Sequence, residues 1–354
     1  MPAQTVSVLG GGSFGTVIAN IVAQNGYRVN FWMRNKALVD QVNATRENAQ
    51  YLPGYTLHDG VFATDDIELA VSGSRLVFVA VPSAYFRTVV RTMLPALSAD
   101  TILVSTTKGI EAGSFLLMSQ VMREEAPDAP IGVLSGPNLA SEIARRSLTG
   151  TVIASVQESV RERVREVLKS DYFRVYTNDD MFGVELGGSL KNIYAIIAGL
   201  ASAMGMGQNT NSMLITRSLT EMARFGRELG ADPMTFLGLA GVGDLIVTCS
   251  SSLSRNFRVG LALGEGKPVH EAVAGIGQVA EGVNTLKQVK EKADELGVYM
   301  PLASGLYQIV YEGKPVNQVI AALMLGEGAL DVEYEAHRAK QLDKGVCSYG
   351  RRIC

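Results

Sequence analysis

The first 34 residues constrain the fold most, because they combine a strand pattern, a glycine-rich turn, a helix pattern and a second strand pattern. An apolar run at residues 5–9 ends at Gly10, Gly12 and Gly15, which have the spacing GxGxxG. Residues 14–24 then show helical periodicity, and an alternating apolar segment follows. In this context the glycines predict a dinucleotide site at a helix N-terminus, with a plain structural turn as the alternative.

Further apolar runs predict a sheet that is covered on both faces. They lie at residues 76–81, 101–105 and 131–134, and residues 152–155 and 173–176 extend the pattern. Continuous Val, Ile and Leu runs separated by helical patterns or loops are typical of parallel strands. The sequence therefore predicts an α/β fold that begins with a doubly wound domain over residues 1–182.

Helical periodicity dominates the second half of the chain. It covers residues 183–203, 212–229, 233–239, 255–263, 283–296 and 316–325. We therefore predict an all-helical domain over residues 183–340, followed by a tail at 341–354 that has little pattern. Residues 192–216 carry no charge, but polar residues interrupt the apolar run, which favours a buried helix and a polar turn over a membrane span.

Composition excludes several classes of function. The net charge of −3 provides no overall field for nucleic acid or an anionic membrane, so we expect neither as a partner. The three cysteines, Cys249, Cys347 and Cys354, have spacings that suit neither disulfides nor zinc, and we expect no metal site. Reduced thiols and the lack of a visible secretion signal predict a cytoplasmic protein.

The residues after the second strand bear on the choice of cofactor. An NAD site usually has an acidic residue there, but the sequence is Met33-Arg34-Asn35-Lys36. The guanidinium of Arg34 suits a 2′-phosphate, so NADP is favoured while NAD stays compatible. The alternative is that Arg34 only begins the next helix, in solvent.

Two loops follow predicted strands and are candidates for ligand binding. Lys108 lies in STTKG after one strand, and Gly136 and Asn138 lie in SGPN after another. In open α/β sheets ligands bind at the carboxyl ends of strands, where a lysine can hold a phosphate or a polarised carbonyl.

Lys191 is the strongest candidate for acid–base chemistry. It lies in the segment GGSLKNIYAIIAGL, which is otherwise apolar. Burying an ammonium favours its neutral form, so such a lysine can exchange a proton near neutral pH. The alternative is a lysine whose head group extends to solvent. The three histidines, His58, His270 and His337, lie in less suitable contexts, which favours a lysine as the acid or base.

Polar residues in the helical half predict an anion site. Asp244 lies between glycines and an apolar run, and Ser254, Arg255 and Asn256 combine a hydroxyl, a guanidinium and an amide at a predicted helix start. That combination suits a phosphate, although an ordinary N-cap with a solvated arginine fits it too.

Seven motifs in order make a family resemblance specific. They are GGGSFG, STTKG, SGPN, GGSLKN, GVGDL, SRN and VAEG, and they span residues 5–335 approximately. This series resembles that of the bacterial NAD(P)-dependent glycerol-3-phosphate dehydrogenases.

The resemblance implies a reaction and a set of site residues. It implies a Rossmann-like domain, a helical domain, and reversible reduction of dihydroxyacetone phosphate to sn-glycerol 3-phosphate for glycerophospholipid synthesis, with Lys191 as proton donor. The implied substrate residues are Lys108, Gly136, Asn138, Lys191, Asp244, Ser254, Arg255 and Asn256. The implied cofactor residues, beside the three glycines, are Ser13, Phe14, Arg34, Tyr51, Lys108, Ala140, Arg255, Val279 and Glu281.

Two positions depart from the family pattern. Asn138 stands where Ser or Thr is common, which affects its side-chain bond to substrate, and Phe14 replaces a common Trp or Tyr. The chemistry of the residues agrees with the resemblance, because Lys108 would lower the pKa of Lys191 and Asp244 would orient it.

Two other functions remain open from the sequence. One is a related two-domain dehydrogenase that acts on another small acid. The other is an NAD(P) sensor without catalysis, against which Lys191 and Asp244 argue because binding alone needs neither residue. Exposed apolar faces on the helical half make a homodimer plausible.

Overall fold

A computed structural model describes residues 4–277 and 280–325 of the chain. Eight strands form a single sheet in this part of the molecule. They are β1 (Thr5–Leu9), β2 (Arg28–Trp32), β3 (Val61–Thr64), β4 (Leu76–Val79), β5 (Ile102–Ser105), β6 (Ile131–Ser135), β7 (Thr149–Ala154) and β8 (Phe173–Asn178).

The sheet has the doubly wound topology that the sequence predicts. Its strand order is β3-β2-β1-β4-β5-β6-β7-β8, so the chain leaves β1 toward one side and later returns to fill the other. The first six strands in sequence are parallel, with Leu9 opposite both Trp32 and Val79. Their carboxyl ends therefore lie along one edge, the site edge.

The last two strands run in the opposite direction to the rest. β7 pairs with β6 antiparallel, and β8 pairs with β7 in parallel. The prediction that these segments extend the sheet is confirmed, but nothing in their sequence indicates the reversal.

Fifteen α-helices accompany the strands in the described residues. They are α1 (Ser13–Gln24), α2 (Lys36–Thr45), α3 (Ile67–Val71), α4 (Ser83–Met93), α5 (Met118–Glu125), α6 (Ala140–Ala144), α7 (Glu158–Leu168), α8 (Met181–Ala203), α9 (Gln208–Glu228), α10 (Asp244–Ser250), α11 (Arg255–Gly264), α12 (Val269–Ala274), α13 (Glu281–Leu296), α14 (Pro301–Val310) and α15 (Val316–Leu325).

The apolar strands are buried because helices cover both faces of the sheet. In β4, Leu76 and Phe78 point into one core while Val77 and Val79 point into the other, and all four side chains are inaccessible to solvent. A third core lies within the helical half. This burial explains why the strands read as continuous apolar runs instead of alternating ones.

Several predicted boundaries differ from the structure. Strand β3 escaped prediction because its four residues, VFAT, are too short to show a period. Helix α9 begins at Gln208 instead of residue 212, because a turn after α8 needs only residues 204–207. The predicted helix at 233–239 is a 3₁₀ turn, Pro233–Leu237, followed by a π-helical turn, Leu239–Gly243.

Helix α8 forms the centre of the helical half. It is 23 residues long, and nearly every residue from Gly183 to Ala201 is buried, as expected for a helix that other elements surround. Two glycines let α11 approach its backbone closely. A Cβ atom at Gly199 would lie 2.0 Å from the Phe257 carbonyl oxygen, and one at Gly260 would lie 2.0 Å from the Ile196 carbonyl oxygen.

The described residues include the uncharged segment and one of the three cysteines. The uncharged segment at residues 192–216 is the buried end of α8 followed by a polar turn and the start of α9, and no described helix is long and apolar enough to cross a membrane. Cys249 is a buried free thiol. His337, Cys347, Cys354 and the predicted tail lie outside the described residues.

The α8–α11 contact generates a prediction about stability. Replacing Gly260 with Ala should lower the free energy of unfolding by about 3 kcal/mol or more, because the new methyl group meets backbone atoms that cannot rotate away. Chemical denaturation measures the change. Gly207→Ser is the control, since its side chain would enter open space at the N-cap of α9. Equal stability of both variants would show that the helices can separate at little cost.

Candidate active site

The glycine turn lies at the site edge, between β1 and the start of α1. Gly10 has a φ of +125°, and a Cβ atom there would lie 2.4 Å from the Ala80 carbonyl oxygen at the end of β4. A Cβ atom at Gly15 would lie 2.0 Å from the Gly10 carbonyl oxygen, whereas one at Gly12 would meet nothing within 4 Å. Two glycines therefore close the turn, and the third leaves room for a ligand beside the N-terminus of α1.

A loop after α2 packs over the glycine turn. Ser13 Oγ donates to the Tyr51 carbonyl oxygen over 2.8 Å, which brings Tyr51 to the turn. Buried Asn48 donates through Nδ2 to the Gly11 carbonyl oxygen and to Thr16 Oγ1, each over 2.8 Å. Sequence reasoning missed Asn48, although an amide beside an irregular turn is a common way to satisfy its backbone groups.

Arg34 lies just beyond the carboxyl end of β2, on the site edge. Its side chain is exposed, and its guanidinium carbon lies 5.0 Å from the centre of the Tyr85 ring on α4. The structure places Arg34 one residue before the N-cap of α2, Asn35, which accepts from the Leu38 amide. The stacking contact instead keeps the guanidinium beside the strand ends.

One carboxylate joins the two candidate lysines. Asp244, at the start of α10, accepts from Lys191 Nζ through Oδ1 and from Lys108 Nζ through Oδ2, each over 2.5 Å. Lys191 Nζ also donates to Thr248 Oγ1 over 2.6 Å, and Lys108 Nζ donates to the Gly136 carbonyl oxygen over 2.9 Å. Elements far apart in sequence thus place two ammonium groups on one carboxylate, with a net charge of +1.

Burial controls the proton affinity of this cluster. Lys191 is only 7% exposed, so it is not a lysine whose head group reaches solvent. Desolvation is the main cause that lowers the pKa of Lys191 to about 8, and the charge of Lys108 lowers it further while Asp244 opposes both. A buried lysine with such a pKa can give or take a proton near neutral pH.

The SGPN loop follows β6 on the same edge. Gly136 has a φ of +139°, and its carbonyl oxygen faces Lys108. Asn138 donates through Nδ2 to Thr151 Oγ1 over 2.9 Å, while its Oδ1 is buried without a hydrogen-bond partner. The Asn138 amide thus has an acceptor without a protein partner.

The predicted anion site is at the N-terminus of α11. Ser254 caps the helix by accepting from the Phe257 amide, and Arg255 leaves its side chain exposed. Buried Asn256 donates to Asn192 Oδ1 over 2.9 Å and accepts from the Gly282 amide over 3.0 Å. Sequence reasoning missed Asn192, which directly follows Lys191 on α8.

Glu281 connects the helical half to the sheet. Its carboxylate accepts from the Ser83 amide over 3.0 Å and from Ser83 Oγ over 2.6 Å, at the start of α4. Desolvation lowers the pKa of the Arg255 guanidinium, and the charge of Glu281 opposes this shift. Val279, predicted beside it, lies outside the described residues.

Other predicted positions also lie near the glycine turn. Phe14 is in the first turn of α1, and Ala140 begins α6, a helix that packs against α1. Ser83 and Thr248 were missed by sequence reasoning. Thr248 could have been found, because it lies four residues after Asp244 and therefore on the same face of α10. Across the described part of the chain, no group of His, Cys, Asp and Glu is arranged to hold a metal ion.

The fold and the site together define a class of protein. A doubly wound sheet with a glycine turn at its switch point, beside a buried lysine–carboxylate cluster, is the arrangement of nicotinamide-dependent oxidoreductases. The family model described as the N-terminus of NAD-dependent glycerol-3-phosphate dehydrogenase matches residues 5–161, and the model for its C-terminus matches residues 180–321. The chain belongs to the NAD-dependent glycerol-3-phosphate dehydrogenase family.

Individual relatives agree with this assignment. The chain is 56% identical over 331 residues to glycerol-3-phosphate dehydrogenase [NAD(P)+] of Saccharophagus degradans, covering 94% of this chain and 92% of the relative. It is 58% identical to the protein of the same name from Pseudomonas entomophila, covering 94% and 97%. The crystal structure of glycerol-3-phosphate dehydrogenase from Coxiella burnetii has a TM-score of 0.88 and 38% identity, covering 92% and 99%.

The shared carboxylate generates a prediction about stability and pH. Asp244→Asn should lower the free energy of unfolding by about 3–5 kcal/mol at pH 7, because it leaves buried ammonium groups without a counter-charge. The pKa of Lys191 would fall further below 10.5, so the unfolded state would bind more protons over a wider range. The deficit should therefore shrink as the pH rises from 7 through about 8, where wild-type Lys191 also loses its proton, and then stay constant at higher pH.

Denaturation of Asp171→Asn provides the matched comparison. Asp171 pairs with Arg146 on the surface, where the two side chains are 76% and 57% exposed, so its loss should cost about 1 kcal/mol or less. Similar decreases in the free energy of unfolding for both variants would contradict the role of Asp244 as the counter-charge of the buried lysines.

Proposed function

We propose that this protein catalyses the reversible reduction of dihydroxyacetone phosphate to sn-glycerol 3-phosphate, with NADPH or NADH as the hydride donor. Family membership supports the reaction, and the buried contact among Lys191, Asp244 and Lys108 is the observation that carries it. Binding a cofactor without catalysis would not require a lysine buried in an apolar helix.

The residues at the site edge fit a nicotinamide dinucleotide. Gly12 leaves open space at the N-terminus of α1, a helix of 12 residues with no acidic side chain in its first turn, so a pyrophosphate finds free amides and a favourable dipole. When bound, the dinucleotide supplies the hydride. We propose that it is held by the glycine turn with Ser13, Phe14, Arg34, Tyr51, Lys108, Ala140, Arg255, Val279 and Glu281.

Lys191 provides the proton in the direction of reduction. Hydride transfer to the ketone carbon leaves an alkoxide, and the Lys191 ammonium gives that oxygen its proton. Asp244 holds the ammonium in place, and Lys108 adds a second positive charge that stabilises the developing oxyanion. In the oxidative direction the neutral amine of Lys191 accepts the hydroxyl proton.

The phosphate end of the substrate is assigned to the start of α11. Arg255 supplies a guanidinium, and Ser254 and Asn256 fix the backbone around it. Gly136 and Asn138 complete the substrate set from the β6 side, where the Asn138 Oδ1 lacks a protein partner. Binding of the remote phosphate positions the ketone at Lys191.

A direct assay tests the proposed reaction. Purified protein is mixed with dihydroxyacetone phosphate and NADPH or NADH, and absorbance at the nicotinamide band is followed. Turnover with dihydroxyacetone phosphate but not with small 2-keto acids supports the proposal. Turnover only with the acids would favour the related dehydrogenase, and binding of NADPH without any turnover would favour a sensor.

Lys191→Met should lower kcat by about 10²–10⁴-fold while leaving the Kd for NADPH almost unchanged, because the variant keeps the buried chain but loses the proton. In the wild type, kcat/KM for reduction should fall as the pH rises through about 8, since the ammonium is the active form. Lys287→Met, on the exposed face of α13, is the control. Near-normal turnover of Lys191→Met would show that Lys191 is not the proton donor.

Arg34→Ala should raise the KM for NADPH by about 10–100-fold, because a charged hydrogen bond to the 2′-phosphate is worth 1.5–3 kcal/mol. The KM for NADH should change much less. Arg28→Ala is a matched control, since Arg28 lies at the opposite end of β2 and also stacks on an aromatic ring, Phe62, at 4.7 Å. Equal effects of Arg34→Ala on both cofactors would refute a 2′-phosphate contact.

Three further assignments accompany the proposed activity. A dinucleotide domain at 1–182 and a substrate domain at 183–340 agree with the separate cores, although α8 begins at Met181 and crosses that boundary. A homodimer is supported by exposed apolar side chains on the helical half, at Met213, Leu237, Ile246 and Leu253. Light scattering tests the oligomeric state.

A cytoplasmic role in supplying glycerophospholipid synthesis is the last part of the proposal. The free buried thiol of Cys249 and the absence of a membrane-crossing helix among the described residues support that location. Cell fractionation tests the location, and labelling of glycerol phosphate in a deletion strain tests the role.

A further inference from the structure

The loop at residues 108–111, which we call the Lys108 loop, is anchored at Ile110 by a buried side chain and a bridge to Leu117. Side-chain hydrogen bonds from other segments hold the backbone only weakly at the first three residues. Neutral side chains donate hydrogen bonds of 3.2 to 3.4 Å to their carbonyl oxygens. The pairs are Asn192 with Lys108, Ser189 with Gly109, and Gln288 with Ile110. These distances lie at or beyond the long end of the usual range, so each bond is a modest restraint.

The fourth residue of the loop has a much stronger partner. Glu111 accepts two hydrogen bonds from the Arg87 guanidinium, Nε to Oε1 and NH2 to Oε2, each over 2.7 Å. Bidentate, charge-assisted bonds are roughly twice as strong as neutral ones. The side chains are only 22% and 20% exposed, so solvent screens the pair less than a surface ion pair.

Arg87 is itself anchored away from the loop. It lies on α4 and also pairs with Glu124, over 2.8 Å, and with Glu125, both at the end of α5. Arg91, one turn later on the same face of α4, binds Glu125 over 2.7 Å. The guanidinium is therefore fixed by two helices and cannot simply follow a movement of the loop.

The loop also packs directly on the start of α4. A Cβ atom at Gly109 would lie 2.7 Å from the Ser83 Cβ, so the loop backbone has no room to approach more closely. Ser83 and Arg87 thus hold the loop at two successive turns of one helix face, the first by contact and the second by hydrogen bonds.

We propose that Arg87 and Glu111 are positioning residues that keep Lys108 on the Asp244 carboxylate, an inference that rests on the proposed function. Neither residue belongs to the proposed substrate or cofactor set. Their effect reaches the reaction through the loop backbone, which sets whether Lys108 Nζ stays 2.5 Å from Asp244 Oδ2 and 2.9 Å from the Gly136 carbonyl oxygen.

Loss of this restraint has a specific electrostatic consequence. Lys191 faces Asp244 and Thr248 on α10, Cys249 on the same helix, and Lys108 from the loop. If Lys108 moves away, Lys191 loses a neighbouring cation, and the Asp244 carboxylate interacts more strongly with the Lys191 ammonium. Both changes raise the pKa of Lys191, so reduction should persist to higher pH.

The kinetic test compares Arg87→Ala and Glu111→Gln with Arg91→Ala. Arg91→Ala is the matched control because Arg91 belongs to the same ion-pair network but pairs with Glu125 and not with the Lys108 loop among the described residues. Arg87→Ala and Glu111→Gln should each lower kcat about tenfold, as expected for a misplaced catalytic group, with little change in the KM for NADPH. The alkaline limit of kcat/KM should shift upward in both, and Arg87→Lys should retain part of the rate.

Two kinetic results would overturn the inference. One is a wild-type kcat and pH profile in both Arg87→Ala and Glu111→Gln. The other is an equal effect of Arg91→Ala, which would assign the change to the α4–α5 network as a whole. If Arg87→Ala does not fold, the isosteric Glu111→Gln decides alone.

Amide hydrogen exchange separates this inference from the proposed function. Peptides that cover residues 108–111 are followed by mass spectrometry in the wild type, Glu111→Gln and Arg91→Ala. Faster exchange in Glu111→Gln but not in Arg91→Ala supports the restraint even if the wild type proves inactive on dihydroxyacetone phosphate. Unchanged exchange in Glu111→Gln overturns it, whatever the activity.

Discussion

The carboxylate of Asp244 is the interaction on which the site depends. It lies in the first turn of α10 and is completely buried, yet it accepts from lysines on α8 and on the loop after β5. Each ammonium would be costly to bury alone. Because both share one carboxylate, the sheet and the helical half are joined at the same point where the proton is held.

This arrangement also explains why Lys191, the proposed acid, has a lowered pKa. Desolvation disfavours the ammonium, and a single negative charge divided between two cations compensates for only part of that penalty. A carboxylate devoted to Lys191 alone would hold its proton more tightly. The charge of Lys108 therefore lowers the pKa of Lys191, and for this reason the position of the Lys108 loop matters to the proposed proton transfer.

Local patterns in the sequence predicted the elements that carry the site, whereas contacts between distant segments were not accessible. The apolar runs and glycine spacing indicate β1, α1 and the covered sheet, and Lys191 stands out because its neighbours are apolar. The bond between Ser83 and Glu281 joins residues 198 positions apart, and no period or motif connects them. The family resemblance implied Glu281 as a site residue but did not identify Ser83 as its hydrogen-bond partner.

Direction within the sheet was another property that composition could not reveal. A strand has the same apolar pattern whichever way it runs, so the antiparallel pairing of β7 with β6 could be learned only from the register. The predicted helix at 233–239 failed for a related reason. It begins with Pro233, and Gly238, Gly241 and Gly243 follow within ten residues, so short 3₁₀ and π-helical turns compete with an α-helix and packing selects among them.

The reversal of β7 and β8 determines at which edge of the sheet α8 begins, and therefore where along the sheet Lys191 lies. Because β8 runs against the first six strands, it ends at the edge opposite the glycine turn, and α8 starts there. At about 1.5 Å per residue, the ten residues from Met181 to Lys191 climb roughly 15 Å, close to the length of a five-residue strand. The length of the helix thus sets the position of Lys191. Inserting one residue before Lys191 would rotate its side chain by about 100° and point it away from the site edge.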